Sequence, residues 1–267
     1  MLSMTKRNGS KLNRLEHELP EGLLVTARWM SEHGYSTALR TQYVAAGWLE
    51  QPVRGVFRRP RGSVGWQQAV ISLQMMMRLP LVVGGRTALE LRGFSHYLAR
   101  ETTEIHLYGP KPPPPWLTTL PLDARFVAHN SARLFPASDG THPVIDEFST
   151  LPWGQWNWKM ALSTPERSVL ELLDELPARE SFHQVDKLFE GLSALSPRRL
   201  QPLLEVCRSV KVKRLFFFFA DRNHHAWLKR LDKASIDFGA GKRKLVEGGI
   251  LNRSYLITVP EDLDGVQ

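Results

Sequence analysis

Thr37, Arg40, Thr41 and Gln42 fall between the apolar positions Leu39, Tyr43 and Val44. Helical spacing puts Leu39, Tyr43 and Val44 on an inner stripe and the four polar side chains on the outer face. Side chains of this kind can read base edges: an arginine fork matches the O6 and N7 of guanine, and a glutamine amide the N6 and N7 of adenine. Ser36 precedes them as an N-cap, at the helix end whose free backbone N–H groups favour a phosphate. Further along, Arg54 sits beside Gly55, and Arg58, Arg59 and Arg61 follow it. Guanidiniums clustered this way suit the phosphate backbone or the minor groove.

Patterns that would carry catalysis are incomplete. Phe238–Gly239–Ala240–Gly241–Lys242 has the outline of a phosphate loop, but Ile236 stands where the first glycine belongs, and Arg243 replaces the magnesium-binding Ser or Thr. His224 and His225 are adjacent, so they cannot share a helical face as an i, i+4 zinc pair does. Asp146 and Glu147 precede Asn157–Trp158–Lys159. A restriction-type nuclease core needs Glu or Gln where Asn157 stands. Cys207 is the only cysteine, which excludes an intrachain disulfide and a multi-cysteine zinc site. It lies on the stripe of Leu200, Leu203 and Leu204 and reads as a core thiol. The expectation is no catalytic residue, no metal and no cofactor.

The elements that must position the polar face are short. Lys11–Leu19 reads as a helix with Leu12, Leu15 and Leu19 on one stripe, stopped by Pro20. Thr26–His33 reads as a second, with Ala27 and Met30 inward, ended by Gly34. Ser36 opens the third, which runs to Ala46 and stops at Gly47. Two short strands then flank Gly55, bounded by Pro52 and Pro60. Helix, turn, helix and ribbon make a winged helix-turn-helix, with residues 26–46 as the helix-turn-helix.

Beyond it, Trp66–Met77 and Arg86–Leu98 read as helices, and Glu104–Tyr108, Arg125–His129 and Val144–Phe148 as strands. Pro112–Pro115 is a stiff connector. Trp153, Trp156 and Trp158 read as a packing cluster. Helices are expected from Ser163, from Phe182 and from Ser196. Leu215–Phe219 reads as a buried strand or a helix start, and Tyr255–Val259 as a terminal strand. The fold class is α+β: an N-terminal winged helix-turn-helix over 1–62, then a larger, helix-rich mixed domain over 63–267. That domain divides into a helical connection (63–98), a strand-rich part (99–160) and a helix-rich part (161–267).

Charge supports a nucleic-acid partner. The 267 residues carry a net charge of +8, unevenly distributed. Residues 1–62 hold 10 Lys/Arg against 5 Asp/Glu, and residues 196–244 hold 13 against 4. The stretches 63–195 and 245–267 are mildly acidic. Two basic blocks are the electrostatic footprint of a nucleic-acid binder. The second offers Arg208, Lys211, Lys213, Arg214, Lys242, Arg243 and Lys244 as a further basic surface. No apolar stretch reaches the roughly 18–20 residues needed to span a bilayer. The N-terminus lacks a signal-peptide h-region. A cytoplasmic setting without a membrane partner is therefore expected.

The segment GWLEQPVRGVFRRPRG, with the helices before it, resembles the N-terminal winged helix of the AbiEi antitoxins of type IV toxin–antitoxin systems. LSTPERSVLELLDELP, the run ESFHQVDKLFEGLSALSPRRLQPLLEVCRSVKVKRLFFFFA and the run HAWLKRLDKASIDFGAGKRKLVEGGILNRSYLITVP are similar to that family's C-terminal domain. The stretch 99–160 resembles it more weakly. The resemblance implies a bacterial antitoxin that represses its own operon by binding double-stranded operator repeats. It further implies a nucleotidyltransferase toxin as functional partner, countered without a stable direct complex, and no cofactor. A winged-helix-guided enzyme that cleaves or modifies DNA is the alternative.

Overall fold

A computed structural model describes residues 11–94, 104–136 and 147–264. The protein is α+β and folds as two compact units. One comprises the chain up to Leu81 together with Pro113–Phe126 and Thr150–Ala161, and the other holds the rest.

In the first unit, helix α1 (11–18) buries Leu15 and Leu19. Strand β1 (Leu24–Thr26) follows, then helices α2 (Ala27–Glu32) and α3 (Thr37–Ala45) and the ribbon β2 (Glu50–Val53) and β3 (Val56–Arg58). The three strands form an antiparallel sheet of order β1-β3-β2, with Val25 opposite Phe57. β1 is the element that pattern reading misses: three residues are too few to show a period of two. Gly55, at φ 79°, makes the ribbon's turn, which only a left-handed backbone can close this tightly.

This unit does not stop at residue 62. Helix α4 (Trp66–Ile71) continues as a π turn over Ser72–Met76. The Ser72 hydroxyl there accepts a 2.8 Å bond from the β1 amide of Leu24. Gln74 behaves as a strand residue would, donating to the Leu81 and Ala161 carbonyls and accepting from the Ala161 amide. These side chain–backbone bonds tie residues 63–81 and 150–161 into the first unit, which the sequence pattern ends at residue 62.

A five-stranded sheet has the order β6 (Arg125–Asn130), β5 (Glu104–Gly109), β4 (Val82–Val83), β8 (Trp158–Ser163), β7 (Phe148–Trp153). β4 runs antiparallel to β5 and parallel to β8. The tryptophan-rich stretch forms the β7–β8 hairpin. Trp156 stands 61% exposed at its tip instead of packing. The helix expected over Arg86–Leu98 is α5 (Gly85–Leu91), ended by Gly93 at φ 79°, and residues 95–98 lie outside the described residues. So do 144–146 of the strand expected over Val144–Phe148.

The second unit's core is a cluster of helices: α6 (Pro165–Asp174), α7 (Phe182–Glu190), α8 (Pro197–Val206) and α9 (Val210–Asn223). The apolar run Phe216–Phe219 is helical and buried all round within α9, as expected of a helix enclosed by its neighbours. A hairpin of β9 (Ile250–Asn252) and β10 (Ile257–Val259) and a short helix α10 (Glu261–Asp264) close the chain. Cys207 is buried in this core, and burial pushes its thiol up to about 11, so it stays protonated and inert.

Candidate nucleic-acid interface

The helix-turn-helix is held by its caps. The Thr26 hydroxyl accepts from the Trp29 amide at 3.2 Å, and the Ser36 hydroxyl from the Leu39 amide at 3.3 Å. Gly34 turns the chain at φ 84°, and the Tyr35 amide closes the turn onto the Met30 carbonyl. Tyr43 and Leu39 face inward as their spacing predicts.

Arg40 does not face outward. It is 8% exposed, and Nη1 donates to the Ala27 carbonyl, the Ser31 hydroxyl and the Tyr35 carbonyl, while Nη2 donates to the Thr37 hydroxyl. Its guanidinium also lies 5.9 Å from the centre of the Phe57 ring on β3. Arg40 therefore ties α2, the turn and α3 together beside the ribbon and is withdrawn from the helix's outer face. Spacing alone misplaced it because it sits beside Leu39, at the edge of the buried stripe, where a long side chain can turn either way. What α3 leaves exposed is Thr37, Ala38, Thr41, Gln42 and Ala45. The Thr41 hydroxyl donates to the Thr37 carbonyl at 3.1 Å, one turn back.

The ribbon's arginines divide in two. Arg58 pairs with Glu50 across the hairpin at 2.6 Å and donates to the Gly62 carbonyl at 2.6 Å. Arg59 pairs with Glu21 at 3.0 Å and Glu16 at 3.7 Å. Both are braces that fasten the ribbon. Arg54 at the turn is exposed, and the Arg61 side chain is 82% exposed with a loose 3.9 Å contact to Glu21. Two further cations of this unit are exposed: Arg28 on α2, paired with Glu32, and Lys11, which donates to the Gly34 carbonyl.

The second basic block divides between the interior and the surface. Arg214 is 2% exposed, and its guanidinium donates to the carbonyls of Phe238, Gly239, Gly241 and Leu256. The Gly239–Gly241 loop thus turns carbonyls toward a cation, the reverse of a phosphate loop. Lys211 donates to the Asp174 and Leu176 carbonyls, and Lys213 is buried. These three leave the candidate surface. Lys242, Arg243 and Lys244 are exposed, Lys244 within 3.3 Å of Glu247. Arg208 is exposed and donates to the Ala132 carbonyl at 3.1 Å.

The second unit's acidic residues are held in polar clusters. Glu171, fully buried, accepts from the Gly85 amide, the Ser163 hydroxyl and Arg167, and Arg167 also pairs with Glu147. Asp146 lies outside the described residues, while Asn157 takes φ 50° in the β7–β8 turn. His129 Nδ1 lies 3.0 Å from Glu175, and its Nε2 shares a 2.9 Å hydrogen bond with His106 Nδ1. Burial, reinforced by His129, pushes His106 down to about 4. Among the described residues no group of three or more His, Cys, Asp or Glu is placed to hold a metal. No described helix is long and apolar enough to cross a membrane.

A helix-turn-helix braced by an internal arginine, with a ribbon exposing Arg54 and Arg61 beside it, defines a winged helix of the kind found in transcriptional regulators. The chain belongs to the AbiEi family. Residues 102–260 match the family described as transcriptional regulator, AbiEi antitoxin, type IV TA system, and residues 8–100 match its N-terminal domain. No curated protein matches the chain. Among solved structures, the RV2827C protein from Mycobacterium tuberculosis is similar at 17% identity and a TM-score of 0.58, covering 92% of this chain and 88% of that one. At that identity the likeness shows the fold alone.

Proposed function

We propose that the protein is a DNA-binding repressor of its own operon and the antitoxin of a type IV pair, acting in the cytoplasm. The observation that carries this reading is the exposed, polar and uncharged face of α3 beside the free cations of the ribbon. In this reading Thr37, Thr41 and Gln42 meet base edges, while the Ser36 end of α3 lies against a phosphate. Arg54 and Arg61 hold the backbone, and Arg58 and Arg59 keep the ribbon in place for them. Lys242, Arg243, Lys244 and Arg208 are exposed cations of the second unit, further candidates for phosphate contact. The functional partner is a nucleotidyltransferase toxin, countered without a stable direct complex. Family membership supports the regulatory and antitoxin roles.

The reading is non-catalytic and cofactor-free: of the acidic pair in the nuclease-like pattern, Glu147 is engaged by Arg167, and Asn157 stands in a turn where that pattern needs Glu or Gln. Titration of the purified chain against its own upstream region, with an unrelated duplex as control, tests the repressor role. Binding no tighter to the upstream region than to the control removes it. Magnesium-dependent nicking of plasmid by the pure chain would overturn the non-catalytic reading.

A further inference from the structure

The composition of α3's exposed face limits which bases it can read. Arg40 is the only charged side chain in Thr37–Ala45, and its guanidinium is spent inside the protein. The fork that would match guanine O6 and N7 is therefore missing from the face. Thr37 accepts a bond from Arg40, and Thr41 donates its hydroxyl hydrogen to the Thr37 carbonyl. Both hydroxyls are thus partly committed. The remaining donor of Thr37 and acceptor of Thr41 suit any base, so the groups left to discriminate are the methyls of Ala38, Ala45 and the two threonines, and the amide of Gln42. In the major groove, methyl surface complements the 5-methyl of thymine, and a glutamine amide pairs with adenine N6 and N7. A G·C pair offers neither a methyl nor an adenine-type donor–acceptor edge.

We propose that α3 reads A·T pairs, with Gln42 on adenine and the Thr41–Ala45 methyls on thymine, and that it reads no guanine. This rests on the DNA-binding reading above. Arginines of the ribbon lie outside α3's footprint and place no constraint on its bases.

Selection of duplexes with a randomised centre by the full-length chain tests the proposal, followed by binding to the selected duplex and two alterations. The expected result is A·T pairs at the positions that α3 covers. Replacing thymine by deoxyuridine there keeps base pairing but strips the methyl, and should weaken binding about four-fold per methyl. Gln42→Ala should lose roughly 5- to 150-fold of the preference for adenine over other bases at one position. Its unfolding midpoint should stay at the wild-type value, because Gln42 is exposed. Selected sites with G·C pairs under α3, or sites indifferent to both deoxyuridine and Gln42→Ala, would overturn the A·T reading and leave the repressor intact. Failure to enrich any sequence would instead overturn the operator-binding role on which the inference stands.

Discussion

The two basic stretches of the chain each divide their cations between bonds inside the protein and its surface. Residues 196–244 have the larger excess of Lys and Arg: Arg214, Lys211 and Lys213 point inward and Arg222 is paired with Asp186, while Arg208, Lys242, Arg243 and Lys244 stay exposed. Residues 1–62 have a smaller excess, but Arg54 and Arg61 remain free to meet a polyanion. Each stretch also contains one buried guanidinium with no carboxylate partner among the described residues: Arg214 clamps three carbonyls of the 238–241 loop and that of Leu256, and Arg40 clamps a helix-turn-helix. The charge a protein presents is thus what remains after its backbone has taken its share. Arginine is taken first because its five donors in a fixed fork can satisfy several carbonyls at once.

The comparison is broken most sharply at Arg214. Arg214→Met should destabilise the protein by about 3 kcal/mol, because four carbonyls lose their donor together. Chemical denaturation measures this, and an unchanged midpoint would show that the loop carbonyls turn to water without cost.

Acid should expose a second internal device. His106 is held near 4 in the fold against 6.5 when exposed. Between those values the unfolded chain binds a proton that the folded one refuses. The contribution of His106 is therefore complete above about pH 6.5 and is lost as pH falls toward 4. The total is about 3 kcal/mol. His106→Asn keeps a donor near Nδ1 and removes the titration, so its stability should be flatter over that window than the wild type's. An identical slope in the two proteins would assign the acid sensitivity elsewhere.

Arg40→Met should cost roughly 1–3 kcal/mol of stability and weaken binding to every DNA sequence alike, since it loosens α2, the turn and α3 together. A change confined to guanine-containing sites would return Arg40 to the reading face. The smallest effect belongs to the free cations. Arg54→Ala and Arg61→Ala should each lower the slope of log K against log salt by about one, with no change in sequence preference. Arg58→Ala and Arg59→Ala, by contrast, should lower the unfolding midpoint through loss of their bonds to Glu50, Gly62, Glu16 and Glu21.

Much of the scaffold was legible from residue types alone. Ser36 as a cap, Gly34 and Gly47 as stops, and Gly55 between two short strands are local signals, and each acts through the backbone of its near neighbours. The periodicities of α6, α7 and α8 are equally local, as is the place of Cys207 on one of those stripes. The α+β class and the winged helix followed from them.

Tertiary structure decided which charges are free. A sequence shows that Arg40, Arg54, Arg58, Arg59, Arg61 and Arg214 are arginines, and spacing shows which turn of which element carries them. It does not show that the Ala27 and Tyr35 carbonyls converge behind α3, or that residues 238–256 close over Arg214. Those acceptors come from distant parts of the chain, and an arginine's long stem lets the same position serve either side. Helices, turns and caps are set within a few residues, whereas the face a regulator offers to DNA is what the folded backbone leaves unbound.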